Sequence, residues 1–259
     1  MRTVTATRYV TALREGGSLP AIVEGDDDGL YVAKFRGAGQ GPKALVAEVI
    51  AGELARAAGL PVPELVRLEV GAELGRNEPD GEIRDLLKAS VGANVGLDYL
   101  PGSATFDPVA GPPPSAAEAS EIVFFDALVT NVDRTARNSN LLCWHRRLWL
   151  IDHGASLYFH HAWPDAPDPA LTPFRAVKDH VLLQWAAELP AAGARLAARL
   201  EGGAVARAVG EVPDAWLEGE PRFASVAEHR AAYVRLLERR LAAAPLFVEE
   251  AERARALLV

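Results

Sequence analysis

Asp133, Asn138 and Asp152 have types and spacing that suit one kind of chemistry. Asp133 stands five residues ahead of Asn138, and a short apolar run then ends on Asp152, which His153 and Gly154 follow. Phosphoryl transfer from ATP uses these parts in this order. One carboxylate meets the attacking hydroxyl, while an amide oxygen and a second carboxylate hold metal ions on the nucleotide phosphates. Taken singly, Asp133 reads as a capping or turn residue, and Asn138 and Asn140 as loop residues. Taken together, in a cleft reached by the strand that ends at Asp152, they form an oxygen-rich set suited to a hard ion such as Mg2+.

Such chemistry also needs a cation on the α- and β-phosphates. Lys34 lies in an alternating stretch after a glycine-containing turn, where a strand would hold it rigidly. A carboxylate on the following helix ordinarily pairs with that lysine, which makes Glu48 the first candidate and Glu53 the fallback. The bland alternative for Lys34 is a surface lysine with a buried stem. Gly16, Gly17 and Ser18 would let the backbone approach phosphates, although they do not form a G-x-G-x-x-G pattern.

The elements that must position these residues can be read in outline. Residues 4–11, 21–24, 30–35 and 64–70 have strand character, and 26–29 is a hairpin turn. Residues 37–42 read as a flexible loop, with Pro42 placed to begin a helix over 44–58 that Gly59 stops. The glycine-spaced run 91–102 reads as a linker and 106–115 as a proline-rich loop. A buried helix over 117–130 leads into the Asp133 loop, 148–151 is a strand, and 176–259 alternates helices with Gly and Pro breaks. The expected architecture is α+β and bilobal, with a small β-rich lobe and a larger helical one.

Bulk properties bound the function. The chain has 259 residues, 49% of them hydrophobic and 24% charged, enough for one large domain or two small lobes around a sizeable core. Its formal charge of −8 argues against a broad nucleic-acid-binding face. Cys143 is the only cysteine, so no intrachain disulfide can form. No apolar run is long enough to span a bilayer and the start has no signal-peptide core, so a soluble cytoplasmic protein is expected. His153, His160 and His161 match no zinc template and read as cleft-lining or capping residues. The five tryptophans read as core. Arg134 and Arg137 meet either a phosphate or solvent. Arg235, Arg239 and Arg240 read as an exposed helix face.

The order of a glycine-rich turn, Val-Ala-Lys34-Phe, a helix carrying Glu48 and ending Gly-Leu-Pro-Val-Pro63, Asp133-x4-Asn138 and Ile151-Asp152 resembles the HipA-type kinases. The likeness is greatest to their short actinobacterial form and extends distantly to the phosphatidylinositol-kinase-like fold. It covers roughly residues 1–160 and is most specific from Asp133 to Gly154. The resemblance implies a protein-kinase-like fold with a small lobe over residues 1–93, a hinge over 94–102 and a large lobe over 103–259. Asp133 would be the catalytic base, with Asn138 and Asp152 as Mg2+ ligands and Asn140 as the second choice of amide. Lys34 would bind phosphate with Glu48 as its partner, and Gly16, Gly17 and Ser18 would lie over the phosphates. Asp98, Tyr99 and Leu100 would meet adenine through the backbone.

The leading expectation is therefore an ATP- and Mg2+-dependent phosphotransferase acting on a Ser or Thr hydroxyl of a protein. A kinase for a small molecule or lipid head group is a second enzyme reading. A nucleotide-binding pseudokinase scaffold and a metal-dependent hydrolase are further alternatives. No nucleic-acid partner and no membrane span are expected. The acceptor and the oligomeric state carry no signature.

Overall fold

A computed structural model describes residues 1–13, 19–76, 78–163 and 167–258. Gly16, Gly17 and Ser18 therefore lie outside the described residues. The first part of the chain is built from strands β1 (Thr3–Ala12), β2 (Ala21–Gly25), β3 (Leu30–Lys34), β4 (Leu65–Val70) and β5 (Gly92–Asp98). Period-two burial explains them, since Ala21 and Val23 on β2 and Tyr31 and Ala33 on β3 all point inward. The turn between β2 and β3 is tied by the Asp27 carboxylate, which accepts from the Gly29 N–H at 3.1 Å.

These strands close into a barrel in the order β1-β2-β3-β5-β4. β5 corrects the expectation of a linker over 91–102. It is an inner strand, paired antiparallel with β3 through Lys34↔Val95 and with β4 through Val66↔Gly96. Gly96 reflects crowding rather than flexibility, and Gly92 a left-handed backbone at φ +104°. A Cβ on Gly96 would stand 2.8 Å from Cγ2 of Val66, so only glycine lets the neighbouring strand approach.

Helix α1 (Gly41–Ala57) carries Pro42 in its first turn and ends before Gly59 at φ +78°. A second helix, α2 (Gly81–Ala89), has no counterpart in the sequence reading. Asp80 starts it by accepting from the N–H groups of Glu82 and Ile83. Beyond the barrel, β6 (Ala104–Thr105), β7 (Leu141–Trp144) and β8 (Arg147–Leu150) form a small antiparallel sheet. Helix α3 (Ala116–Val129) precedes β7, and α4 (Leu189–Arg199), α5 (Ala204–Gly210), α6 (Val226–Ala242) and α7 (Ala244–Arg255) complete the chain.

Two apolar clusters hold the architecture together. One fills the barrel with Val4, Val23, Tyr31, Val66 and Leu68. The other runs continuously from α1 and the inward side chains of β4 and β5 to α3, β7, β8 and the C-terminal helices. Phe124 of α3 packs on Phe247 of α7 with ring centroids 5.2 Å apart; truncating such a ring costs about 3–5 kcal/mol. Helix α1 is also tied at both ends. Lys43 Nζ pairs with Glu220 at 3.0 Å, and Arg199 donates to the carbonyl of Ala58 at 2.9 Å.

The arginine series on α6 does not form one exposed face. Arg239 pairs with Asp168, whereas Arg240 is fully buried. Arg240 donates to the carbonyls of Ala127 and Leu128 at the end of α3 and to those of Pro169 and Thr172. Burial pulls its guanidinium down to about 10. Among the described residues no helix is long and apolar enough to cross a membrane.

Candidate active site

A cavity of about 670 Å3 lies where the barrel meets the β6–β8 sheet. Val32, Leu97, Leu141 and Leu142 supply its apolar walls, and Lys34, Asn138, Asn140 and Asp152 supply its polar end. Asp98, Tyr99 and Leu100 form the opposite edge. A smaller cavity of about 410 Å3 on the barrel, beside Tyr9 and Glu73, touches none of the candidate residues.

Lys34 closes β3 and meets two carboxylates. Its Nζ is 2.6 Å from Glu48 Oε2 and 2.5 Å from Asp152 Oδ1. Glu48 is wholly buried on α1, which settles the choice against Glu53, whose carboxylate faces Arg56 at 3.7 Å. Burial alone would raise the Glu48 carboxyl, but the Lys34 charge and the neighbouring His153 outweigh it and hold the group at about 2. Burial opposes the charge on Lys34 too, and Glu48 and Asp152 overcome it, so the ammonium is held above its ordinary range. His153 is buried beneath the site rather than lining it, with Nδ1 3.6 Å from Glu48 Oε1, longer than a hydrogen bond.

The loop after α3 gathers the other candidates. Thr130 ends α3 in the left-handed region at φ 53°, which turns the chain sharply toward Asp133. Asp133 Oδ2 accepts from Asn138 Nδ2 at 2.8 Å and from Asn140 Nδ2 at 3.2 Å. Asp133 thus stands behind the two amides that line the cavity. Asn140 is buried and Asn138 exposed.

Arg134 departs from both sequence readings, because it meets neither solvent nor an open site. Its side chain is fully buried, with Nε 2.5 Å from Asp126 Oδ2. Asp126 also accepts from Asn131 at 3.0 Å and pairs with His180 Nε2 at 2.9 Å. Burial would raise the Asp126 carboxyl, yet Arg134 and His180 hold it well below the usual carboxylate range. A signal for this network was present in the sequence. A carboxylate inside the apolar run Phe-Phe-Asp126-Ala-Leu-Val requires a buried cationic partner.

The remaining histidines are structural neighbours. His160 is buried, shares a 3.0 Å hydrogen bond with the Tyr233 hydroxyl, and is pushed down to about 3, first by burial and then by His161 and Lys43. Trp163 and Trp216 are core residues, whereas Trp144, Trp149 and Trp185 are half-buried. No group of three His, Cys, Asp or Glu side chains converges on a metal site among the described residues.

Comparison with solved structures places this fold among kinases. Over 99% of this chain and 99% of the other, it superposes on the Helicobacter pylori proinflammatory kinase CtkA, with a TM-score of 0.55 and 12% identity. The Golgi casein kinase gives a TM-score of 0.52 at 12% identity, covering 98% of this chain and 74% of that one. Its Mn/ADP-bound structure gives 0.51, also at 12% identity, over 100% and 75%. No curated protein sequence matches significantly. The profile of the HipA-like kinases matches residues 7–244, nearly the whole barrel, cavity and helical region described above, and the chain belongs to the HipA-like kinase family.

Proposed function

We propose that the chain is an ATP- and Mg2+-dependent kinase that phosphorylates Ser or Thr hydroxyls of a protein. The observation that carries this reading is the convergence of Lys34, Asn138, Asn140 and Asp152 on one cavity, with Glu48 behind the lysine and Asp133 behind the amides. The small lobe is the barrel with α1 and α2, and the large lobe begins with the β6–β8 sheet. Because β5 belongs to the barrel, the crossing between them comprises residues 99–102 rather than 94–102.

The donor set fits a hard divalent cation. Both amide nitrogens of Asn138 and Asn140 are directed to Asp133, and among the described residues their oxygens have no donor. Asp152 has its Oδ1 on Lys34 and is about half exposed. Mg2+ binds through one or two carboxylates together with substrate phosphates, so a protein cage is not required. When bound, Mg2+ neutralises charge on the phosphate oxygens. The occurrence of this fold in a Golgi casein kinase with Mn/ADP bound supports the same pairing of nucleotide and cation.

The residues then divide the work. The apolar walls take the adenine. Asp98 and Tyr99 have their N–H groups on the carbonyls of Glu64 and Leu30, each at 2.9 Å. The Leu100 N–H has no acceptor among the described residues and is the donor left for the base. Lys34 holds the phosphates, and Glu48 fixes its ammonium. Asp133 takes the proton of the acceptor hydroxyl, while the two amides, both bonded to its Oδ2, keep the carboxylate oriented.

Transfer of ³²P from ATP with Mg2+ to the protein itself or to an added extract, compared with Asp152→Ala, tests the reading. Label on Ser or Thr that disappears in the variant supports it. ATP binding without transfer would make the protein a nucleotide-binding scaffold, and absence of nucleotide binding would overturn the assignment.

A further inference from the structure

We infer that Arg134 is a positioning residue that fixes the backbone on which the metal-binding side chains are mounted. The inference rests on the reading of Asp152 and the Asn138–Asn140 amides as cation ligands. The Arg134 guanidinium is buried and is not among the residues that line the site cavity, so any effect on ligands passes through its neighbours. Nη1 donates to the carbonyl of Asn140 and, at 3.3 Å, to that of Ile151, the residue before Asp152. The Asn140 carbonyl also accepts from the Ile151 N–H at 3.1 Å, so the catalytic loop and the strand end are joined at one junction.

This junction is where the backbone needs support. Asn140 sits at φ 47° and Asp152 at φ 55°, in the left-handed region that L-residues occupy at a cost. Each places one cation-facing side chain, and Arg134 is bonded at the first and beside the second. The guanidinium is itself anchored from behind. Nε and Nη2 meet the two Asp126 oxygens at 2.5 and 3.4 Å. His180 holds Asp126, and the Arg134 carbonyl accepts from the Val181 N–H at 3.1 Å. A planar, always charged fork can satisfy a carboxylate on one side and two carbonyls on the other. A lysine ammonium cannot span both.

The test is Mn2+ binding, read by electron paramagnetic resonance in the presence of a non-hydrolysable ATP analogue, on wild type and Arg134→Lys. Binding of ATP in EDTA and the melting midpoint are measured alongside. Loss of an outer-shell partner of this kind lowers metal affinity by about 10–100-fold. That fall is expected in Arg134→Lys, with metal-free ATP binding kept within about twofold. Equal Mn2+ affinity in a folded variant overturns the inference. So does a parallel fall in Mn2+ binding, metal-free ATP binding and melting midpoint, since Arg134 would then be a general stabiliser. If Arg134→Lys does not fold, Asp126→Asn loosens the same anchor and must show the selective loss of Mn2+. Wild type that binds ATP but no Mn2+ overturns the ligand reading and the inference with it. An Asp152→Ala control that abolishes Mn2+ binding keeps the ligand reading independent of the Arg134 result.

Discussion

Lys34 and Asp152, separated by 118 positions in the chain, stand 2.5 Å apart at the polar end of the cavity. With Glu48 on the other side, one ammonium serves a buried carboxylate and a partly exposed one. Replacing Lys34 by Met should lower kcat/KM for ATP by about 100-fold or more, in the range found for loss of a preorganised electrostatic group. Glu48→Gln should cost less, because Asp152 still orients the lysine. Steady-state kinetics at saturating acceptor checks the ranking, and equal losses would show that Glu48 does more than orient Lys34.

Asp133→Asn should reduce phosphoryl transfer by about 10²–10⁴-fold, the range for a general base, with ATP affinity unchanged within about twofold. Calorimetric ATP titration beside single-turnover transfer separates the two quantities. A large loss of ATP affinity would move Asp133 from the acceptor side to the nucleotide side.

The two asparagines should be unequal. Asn140 is buried and its carbonyl is held by Arg134, whereas Asn138 is exposed. A rigid amide has less ordering left to do on binding a cation, so Asn140→Ala should raise the Mg2+ half-saturation more than Asn138→Ala. This reverses the order suggested by the Asp-x4-Asn spacing. A Mg2+ titration of activity in both variants decides it.

Acid should act on the fold in two windows. His160 is held at about 3 in the folded protein against 6.5 as its ordinary value. The unfolded chain therefore takes up the proton first, and stability falls as pH drops below 6.5, by up to about 1.4 kcal/mol per pH unit. Glu48 is held at about 2 against 4.5. Its contribution, on the order of 3 kcal/mol, is complete above 4.5 and is lost as pH falls toward 2. Urea melts from pH 7 to 3 should show His160→Asn flattening the first window and Glu48→Gln the second. Unchanged slopes in both variants would assign the acid response to other groups.

Gly96→Ala should destabilise the barrel by about 1–3 kcal/mol, because the new methyl meets stiff, buried Val66. Thermal melts of the variant, and of Gly96→Ala with Val66→Ala, test this through partial recovery in the double variant.

Much of this was legible in residue order. Strand character marks β1 to β4 and β8 but not β5, β6 or β7, Pro42 and Gly59 bracket α1, and Lys34 on its strand pairs with Glu48 on the helix that follows. The misses share a cause, which is that tertiary partners are invisible in a single chain. The glycine-spaced run reads as a linker, since the crowding of Gly96 by Val66 on another strand leaves no local trace. Helix α2 is the exception, since Asp80 marks its start and Ile83, Leu86 and Leu87 give it an apolar face. Arg240 reads as solvated because arginine usually is, while the carbonyls that bury it lie elsewhere in the sequence. Arg134, read as meeting a phosphate or solvent, is buried instead by Asp126, whose apolar surroundings are the one local sign of it. The glycine turn at Gly16, Gly17 and Ser18 falls outside the described residues and keeps the standing of an expectation.

Helix α1 is riveted at one end by Lys43 to Glu220 and at the other by Arg199 to the Ala58 carbonyl, with an uninterrupted apolar seam between. Glu48 therefore rides on the frame of the molecule and not on a lever. Withdrawing it from Lys34 would break that seam and both end contacts together.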